Sequence, residues 1–212
     1  MNNNLYETLN AVCIKSISSA EEKTSAEIVA VLVPSSDDYA VAHYRCSLLL
    51  AVVGASFGHF TEGYFDHSPI SFSLWGMGLG ILLGGLVAHI PKLKRFFLHK
   101  KECFEESRQR AIQIFYEKGL HTLPERNALL LFVSELEREI HLLADIALKE
   151  KVEQKEWDQV IAKMSEHFKK KSFNQGLIEG IGTCAEILHL HYPGKMTNRG
   201  SGNQFSNQLN RE

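Results

Sequence analysis

The chain has 212 residues, a length typical of one ordinary domain with a small surplus. Its 23 Lys and Arg residues nearly balance its 25 Asp and Glu residues, so the formal net charge is -2. This balance argues against a nucleic-acid-binding protein, which usually carries a basic excess on one face. The four cysteines are scattered without a CxxC motif, which argues against a disulfide framework and suits reduced thiols in a cytosolic compartment.

The first 40 residues predict a helix followed by a buried strand. Apolar residues recur at helical spacing near the N-terminus, namely Leu5, Leu9, Val12, Cys13 and Ile17. The run Ile28–Val33 (IVAVLV) is short, unbroken and rich in β-branched residues, and Pro34 stops it. Such a run is typical of a strand buried on both faces, so we expect a parallel or mixed sheet covered by helices.

Two apolar segments predict a transmembrane hairpin. Cys46–Phe60 contains no Lys, Arg, Asp or Glu, and extension towards the N-terminus gives a first span over residues 41–60. The second span covers residues 69–91, and its uncharged part, Pro69–Ile90, is long enough to cross a hydrocarbon core of about 30 Å. The alternative is a pair of buried core helices, but a domain this small has little room to bury a long helix that is apolar all round.

The charges that flank the spans predict their orientation. Residues 92–101 carry five Lys or Arg and no acid, whereas the connecting loop 61–68 carries Glu62 and Asp66 and no base. Cytoplasmic flanks of membrane spans are enriched in Lys and Arg, so we expect the loop to be external and both chain ends to be cytoplasmic. The lipid bilayer is then the first expected partner.

Glycines recur at four-residue spacing in both spans. They are Gly54 and Gly58 in the first span and Gly76, Gly80 and Gly84 in the second. Small residues at this spacing let helix backbones approach closely. Two interpretations follow: the spans pack on each other, which we favour, or the glycine face forms a homodimer.

The chain beyond the spans predicts helices around two further strands. A helix over Arg95–Lys118 precedes a buried strand, Ala128–Val133 (ALLLFV), and a third strand, Ile140–Ala144. These two strands are too close in sequence for a crossover helix, so they form a hairpin. Two helices follow and end at Pro193, and the polar tail 194–212 is predicted to be disordered. One soluble domain, 1–40 plus 95–193, is thus interrupted by the membrane hairpin.

The second half of the chain carries an ordered set of residues: Arg110, Ala111, Phe115, Gly119, Thr122, Arg126, Leu129–Val133, Ser134, Glu137, Arg138, Ile140, Leu143, Asp145, Trp157, Gly176, Leu177, Gly182, Tyr192 and Pro193. In these residues the chain resembles the TPM domain family, in its bacterial membrane-bound branch. Upstream, Thr24–Val31 resembles the opening strand of the family. The resemblance implies an α/β three-layer sandwich with a small mixed sheet, here interrupted by a two-helix transmembrane hairpin, in a bacterial inner (cytoplasmic) membrane.

The resemblance also implies candidate chemistry, because acid-phosphatase activity and calcium binding are attributed to a plant relative in the thylakoid lumen. The sequence departs from the family at Ala147, where the family carries glycine, and at Asn127-Ala128, where it carries Thr-Gly. From its place after a predicted strand, Asp145 either ligates calcium or another divalent cation, with Glu27 across the sheet, or caps the following helix. We favour the cap.

Charged residues around the strand hairpin give two further alternatives. Arg126 either binds phosphate bidentately or pairs with an acid of the following turn. The acids of that turn, Glu135, Glu137 and Glu139, occupy alternate positions. They form either a divalent-cation patch or the solvated face of the hairpin with Arg138 as counter-charge, and we favour the solvated face.

No nucleotide-binding, metalloprotease or nucleophile-elbow motif occurs in the sequence, and no nucleophile and base can be paired from it. We therefore expect a membrane-tethered, non-catalytic interaction or regulatory module with an unidentified protein partner and no nucleic-acid partner. The alternative, which rests on the family resemblance, is a divalent-cation-dependent phosphatase-like enzyme.

Overall fold

The structure, a computed structural model, describes residues 3–61, 69–170, 172–194 and 210–211. Its helices are α1 (Asn3–Glu21), α2 (Ala40–Thr61), α3 (Pro69–Val87), α4 (Pro91–Lys94), α5 (Lys100–Glu117), α6 (Ile146–Lys151), α7 (Gln154–Lys169) and α8 (Phe173–His191). Its strands are β1 (Glu27–Val33), β2 (Ala128–Ser134), β3 (Glu139–Ala144) and the two-residue β4 (Asn210–Arg211). The prediction of a mixed α/β fold is confirmed.

The strands form one small mixed sheet in the order β3-β2-β1-β4. β1 runs parallel to β2, with Glu27 opposite Ala128 and Val33 opposite Ser134. β2 and β3 form the predicted antiparallel hairpin, and β4 pairs with β1 in parallel. Each of the three predicted strands forms and is longer by one residue than the apolar run that indicated it.

Helices cover both faces of the sheet because apolar residues occupy every position of β1 after Glu27. Ile28 and its even-numbered neighbours on β1 enter one core cluster with residues of α1, α7 and α8. Val29 and its odd-numbered neighbours enter a second cluster with residues of α5. Every residue of β1 and β2 is buried, as the unbroken apolar runs predicted.

The helices of the first cluster pack as their patterns predicted. Cys13 and Ile17 of α1 are fully buried, whereas the side chains of Leu5, Leu9 and Val12 lie outside the described residues. On α8, a Cβ added at Gly180 would lie 2.3 Å from the sulfur of Met164 on α7. Glycine at this position therefore permits the close approach of α7 and α8.

The chain divides into two compact units. The first comprises residues 1–36 and 105–212 and contains the sheet; the second comprises residues 37–104 and contains α2, α3 and α4. The predicted external loop, apart from Thr61, and the predicted disordered tail, apart from Gly194, Asn210 and Arg211, lie outside the described residues.

In the second unit, α2 and α3 pack on each other through the glycines. A Cβ at Gly54 would lie 2.0 Å from the carbonyl oxygen of Gly76, and a Cβ at Gly76 would lie 2.1 Å from that of Gly54. The same close approach holds for the other three predicted glycines, Gly58, Gly80 and Gly84. Of the two interpretations, the structure has the packing of α2 on α3; the homodimer stays a prediction.

The two helices differ in how well they meet the criteria for a membrane span. Within the described residues α2 alone, with 22 residues, is long and apolar enough to cross a membrane by length and composition, and 17% of its apolar window is buried. The stretch Phe72–Val87 of α3 is apolar but shorter than a full span.

The predicted start of the helix after the spans is wrong. Instead of one helix from Arg95, the chain forms a 3-10 turn over Arg95–Phe97 and an extended residue at Leu98, and α5 begins at Lys100. The carboxylate of Glu102 accepts the His99 N–H at 3.3 Å. Because the first N–H groups of a helix have no partner within it, this bond favours a new helix start here.

Candidate functional site

Polar side chains meet where the parallel strands β1 and β2 end, at the carboxyl edge of the sheet, where α/β proteins commonly bind ligands. The Glu137 carboxylate lies here with 2% of the residue exposed. One oxygen accepts the Ser36 N–H at 2.9 Å and the Ser35 hydroxyl at 3.5 Å, and the other accepts the Ser134 hydroxyl. The chain itself therefore satisfies this carboxylate.

The turn between β2 and β3 brings Glu137 into this position. The N–H groups of Glu135 and Leu136 donate to the carbonyl oxygens of Val33 and Pro34, so the turn folds over the end of β1. Arg138 then takes a left-handed conformation with φ 59. The favoured prediction of a solvated face is wrong for Glu137, because a turn does not keep the two-residue alternation of a strand.

At the opposite edge of the sheet, Arg126 and Asp145 form a bidentate ion pair. The guanidinium Nε donates to one carboxylate oxygen at 2.7 Å and a terminal nitrogen donates to the other at 2.8 Å. The side chain of Asp145 is 4% exposed, and that of Arg126 is 46% exposed. Arg126 does pair with an acid, but the acid is Asp145 and not one of the turn.

Asp145 also caps α6, as we favoured. Its carboxylate accepts the Ile146 N–H at 2.7 Å. Burial raises the pKa of Asp145, but hydrogen bonds from Arg126 and the Ile146 N–H, with the charges of Arg126 and Lys149, outweigh burial and hold it below its usual value. Because both of its oxygens accept hydrogen bonds, this carboxylate has a structural role in the described chain.

The residues that replace the family's glycines show no backbone strain. Within the described residues, the left-handed position of this loop falls on Arg126 itself, with φ 51. Ala128 lies in β2, and the Ala147 N–H donates to the Arg126 carbonyl oxygen at 3.2 Å. The loop therefore forms without glycine at positions 128 and 147.

Glu27, the second predicted metal ligand, is buried at the start of β1. Burial, together with the nearby charge of Glu21, raises its pKa to about 7. β2 separates it from Asp145, since Ala128 pairs with Glu27 and accepts the Asp145 N–H. In the part of the chain that the structure describes, no group of three or more His, Cys, Asp or Glu side chains could hold a metal ion. The metal site stays a prediction.

A buried pair that no sequence pattern indicated links α5 to β3. The Ser107 hydroxyl lies 2.8 Å from Nε2 of His141. Burial, together with the charge of Arg108, lowers the pKa of His141 to about 4, so the ring is neutral at physiological pH. Serine and histidine form nucleophilic pairs in many enzymes, but Ser107 is 0% exposed in this structure.

The four cysteines form no disulfide in this structure, and all four are buried. Burial raises the pKa of Cys13 and of Cys184 to about 12. Because the thiolate is the reactive form, these two side chains pack as small apolar groups and are not nucleophiles near neutral pH.

Comparisons with known proteins agree with this architecture. The TPM domain family, labelled TPM phosphatase, matches residues 95–187. The NMR structure of the BA42 protein from the psychrophilic bacterium Bizionia argentinensis is similar, with a TM-score of 0.58 and 16% identity over 97% of this chain and 94% of that chain. At this identity the likeness concerns the fold alone. No protein of curated function matches the chain.

The family match begins at the basic segment after α3 and ends within α8, so it includes β2, β3, Arg126 and Asp145. The residues that carried the resemblance in the sequence lie, in the same order, along the elements described above. Over residues 95–187, the chain matches the TPM domain family.

Proposed function

We propose that this protein is a membrane-anchored TPM-domain protein whose α2–α3 pair crosses the bilayer and whose α/β unit acts as a non-catalytic interaction or regulatory module. The observation that carries the proposal is the apolar outer surface of α2 and α3. Its exposed side chains include Leu48, Val52, Phe57, Phe60, Leu74, Trp75, Leu79, Leu82 and Leu86. Soluble monomers rarely expose so large a continuous apolar surface.

The low burial of α2 argues against a core helix of a soluble protein. Only 17% of its apolar window is buried, whereas a core helix would be mostly buried. A hydrocarbon environment satisfies such a helix, because its backbone groups bond internally and its side chains face lipid.

The length of the two helices supports a hairpin that spans the membrane. At about 1.5 Å per residue, the 22 residues of α2 extend about 33 Å and the 19 residues of α3 about 28 Å, close to a hydrocarbon core of about 30 Å. The glycines turn towards the partner helix and the large apolar residues turn outward, as expected for two helices that pack within lipid.

The proposed arrangement is a multi-pass protein of a bacterial inner membrane with both termini cytoplasmic. The spans are 41–60 and 69–91, residues 61–68 are external, and 1–40 and 95–193 form the cytoplasmic domain. The basic segment 92–101 supports this orientation. The division of the chain into units 37–104 and 1–36 plus 105–212 supports a domain interrupted by the hairpin.

The non-catalytic role is supported by the state of the candidate chemical groups. The Glu137 carboxylate bonds to Ser36 and Ser134, Asp145 bonds to Arg126 and to a helix end, and His141 bonds to a fully buried serine. These bonds stabilise the fold and leave few groups to act on a substrate. Interaction with another protein is the function that requires none of these groups to act on a substrate.

Membrane integration is tested by fractionation and by labelling. We expect the protein to stay in membranes through carbonate extraction. In spheroplasts, an impermeant maleimide should label Asp66→Cys directly but Lys163→Cys only after permeabilisation. The four native thiols are buried, so they should contribute little background labelling. Recovery in the carbonate supernatant would refute the anchoring, and direct labelling of Lys163→Cys would refute the orientation.

The competing phosphatase function has its own test. It predicts hydrolysis of a phosphomonoester that needs calcium or another divalent cation and is lost in Asp145→Asn, while Glu150→Gln, an exposed acid, serves as the matched control. We expect no such hydrolysis by the wild type. Cation-dependent turnover that disappears in Asp145→Asn alone would replace the interaction proposal by an enzymatic one.

A further inference from the structure

We propose that residues 91–101 form a membrane-surface segment that binds the headgroups of anionic phospholipids. This inference rests on the proposed insertion of α2 and α3 and adds the class of lipid that the protein prefers. The segment follows α3 directly and comprises α4, the 3-10 turn Arg95–Phe97 and the first residues of α5.

The charge of the segment fits an anionic surface. Residues 91–101 contain five Lys or Arg and no acid. Clusters of four or more basic residues beside a membrane span attract anionic lipids, and the attraction acts within about one Debye length of the surface. The first acid after the segment, Glu102, is paired with Arg45 at 2.7 Å, so its charge is compensated within the chain.

Two lysines occupy positions where a positive charge is unfavourable for helix stability. Lys100 and Lys101 are exposed and occupy the first turn of α5. The N-terminus of a helix carries a partial positive charge, which disfavours cations and favours anions. A phosphate group at this position would be attracted both by the lysines and by the helix end.

Apolar side chains accompany the charges. Phe96 is 85% exposed and Leu93 is 43% exposed. They lie in short elements that end at the extended residue Leu98. Apolar groups interleaved with Lys and Arg are typical of segments that lie in the interface, where the rings enter the acyl boundary and the cations stay among the headgroups.

Arg45 holds this segment beside α2. Its guanidinium donates to both oxygens of Glu102 and, at 3.1 Å, to the carbonyl oxygen of Phe97. Arg45 lies about 8 Å along α2 from Ala40, a depth at which an arginine head reaches the headgroup layer. The contact therefore keeps Phe97 and its neighbours at that layer.

The test uses the full chain, reconstituted in vesicles of equal phosphatidylcholine and phosphatidylglycerol. The protein is extracted in mild detergent and the retained lipids are quantified by mass spectrometry. The variant is Lys100→Gln with Lys101→Gln, and the matched control is Lys155→Gln with Lys163→Gln, two exposed lysines on α7. The wild type is also measured in high salt, which tests the attraction without any substitution.

We expect phosphatidylglycerol to be enriched at least about twofold on the wild type, and the enrichment to persist in the α7 control. It should disappear in the Lys100/Lys101 variant and in about 1 M salt, where the Debye length is about 3 Å. Retention of the two lipids in the ratio supplied, by a wild type that resists carbonate, overturns this inference and leaves the anchoring intact. Release by carbonate overturns both.

Discussion

Two hydrogen bonds of 2.7 and 2.8 Å join Arg126 to Asp145 near the N-terminal end of β2. Arg126 lies two residues before β2, and Asp145 directly follows β3. The pair closes the loop that leads into the strand hairpin, and the same carboxylate begins α6. One side chain thus fixes a strand end, a loop and a helix start.

Replacement of Asp145 should lower the stability of the fold in two steps. Asp145→Asn keeps an acceptor for the Ile146 N–H but loses the charge, so we expect a loss of about 1 kcal/mol; Asp145→Ala also loses the cap, for a total of about 2 kcal/mol. Thermal unfolding in detergent, followed by circular dichroism, measures both. Glu150→Ala is the control, and equal losses in the Asn and Ala variants would argue against the capping role.

Glu27→Gln should change how stability depends on pH. Since the folded state raises the carboxyl pKa from 4.5 to about 7, the folded chain keeps a proton there that the unfolded chain has released. The free energy of unfolding therefore falls as pH rises through this interval, by up to about 3 kcal/mol, and stays low above it. Glu27→Gln should lack this fall and exceed the wild type above neutral pH. A pH profile that matches the wild type would contradict the assignment.

The effect of His141 on how stability depends on pH should be opposite to that of Glu27. The folded state holds its pKa at about 4, against 6.5 for a free imidazole, so the unfolded chain takes up a proton first as the solution is acidified. Stability present at neutral pH is then lost as pH falls from about 6.5 to about 4, again by up to about 3 kcal/mol. Carbon-13 histidine NMR should show this ring still neutral near pH 5, and a normal titration would contradict the prediction.

Gly54 and Gly78 offer a matched pair of substitutions in the hairpin. A Cβ at Gly54 meets the Gly76 backbone at 2.0 Å, whereas a Cβ at Gly78 meets nothing within 4 Å. Gly54→Ala should separate α2 from α3 and lower stability in detergent by about 1–3 kcal/mol, while Gly78→Ala should be neutral or stabilising. Thermal unfolding compares the two, and equal effects would mean that α2 and α3 do not pack in this way.

The sequence predicted the parts of the fold that periodicity encodes. The apolar runs gave β1, β2 and β3 to within one residue, and the glycine spacing gave the contact of α2 with α3. The break at Leu98 was missed because the residues on both sides of it favour helix, and the break depends on hydrogen bonds of Glu102 to His99 and Arg45.

The candidate site was less predictable, because its contacts join residues far apart in sequence. Ser36 and Glu137 are 101 positions apart, and no local pattern indicates that they meet. The same holds for Ser107 and His141, each of which looks like an ordinary polar residue of its helix or strand. Arg126 and Asp145 were both singled out, but their pairing follows from the geometry of the strand hairpin.

The parallel pairing of β1 with β2 has a consequence for biosynthesis. Glu27 pairs with Ala128, so β1 leaves the ribosome long before its partner strand exists, and the whole of α2 and α3 is made in between. Contacts of such sequence separation form late and slowly. The apolar strand β1 must therefore be kept from aggregation until the downstream half of the domain is synthesised, so the proposed membrane insertion precedes closure of the sheet.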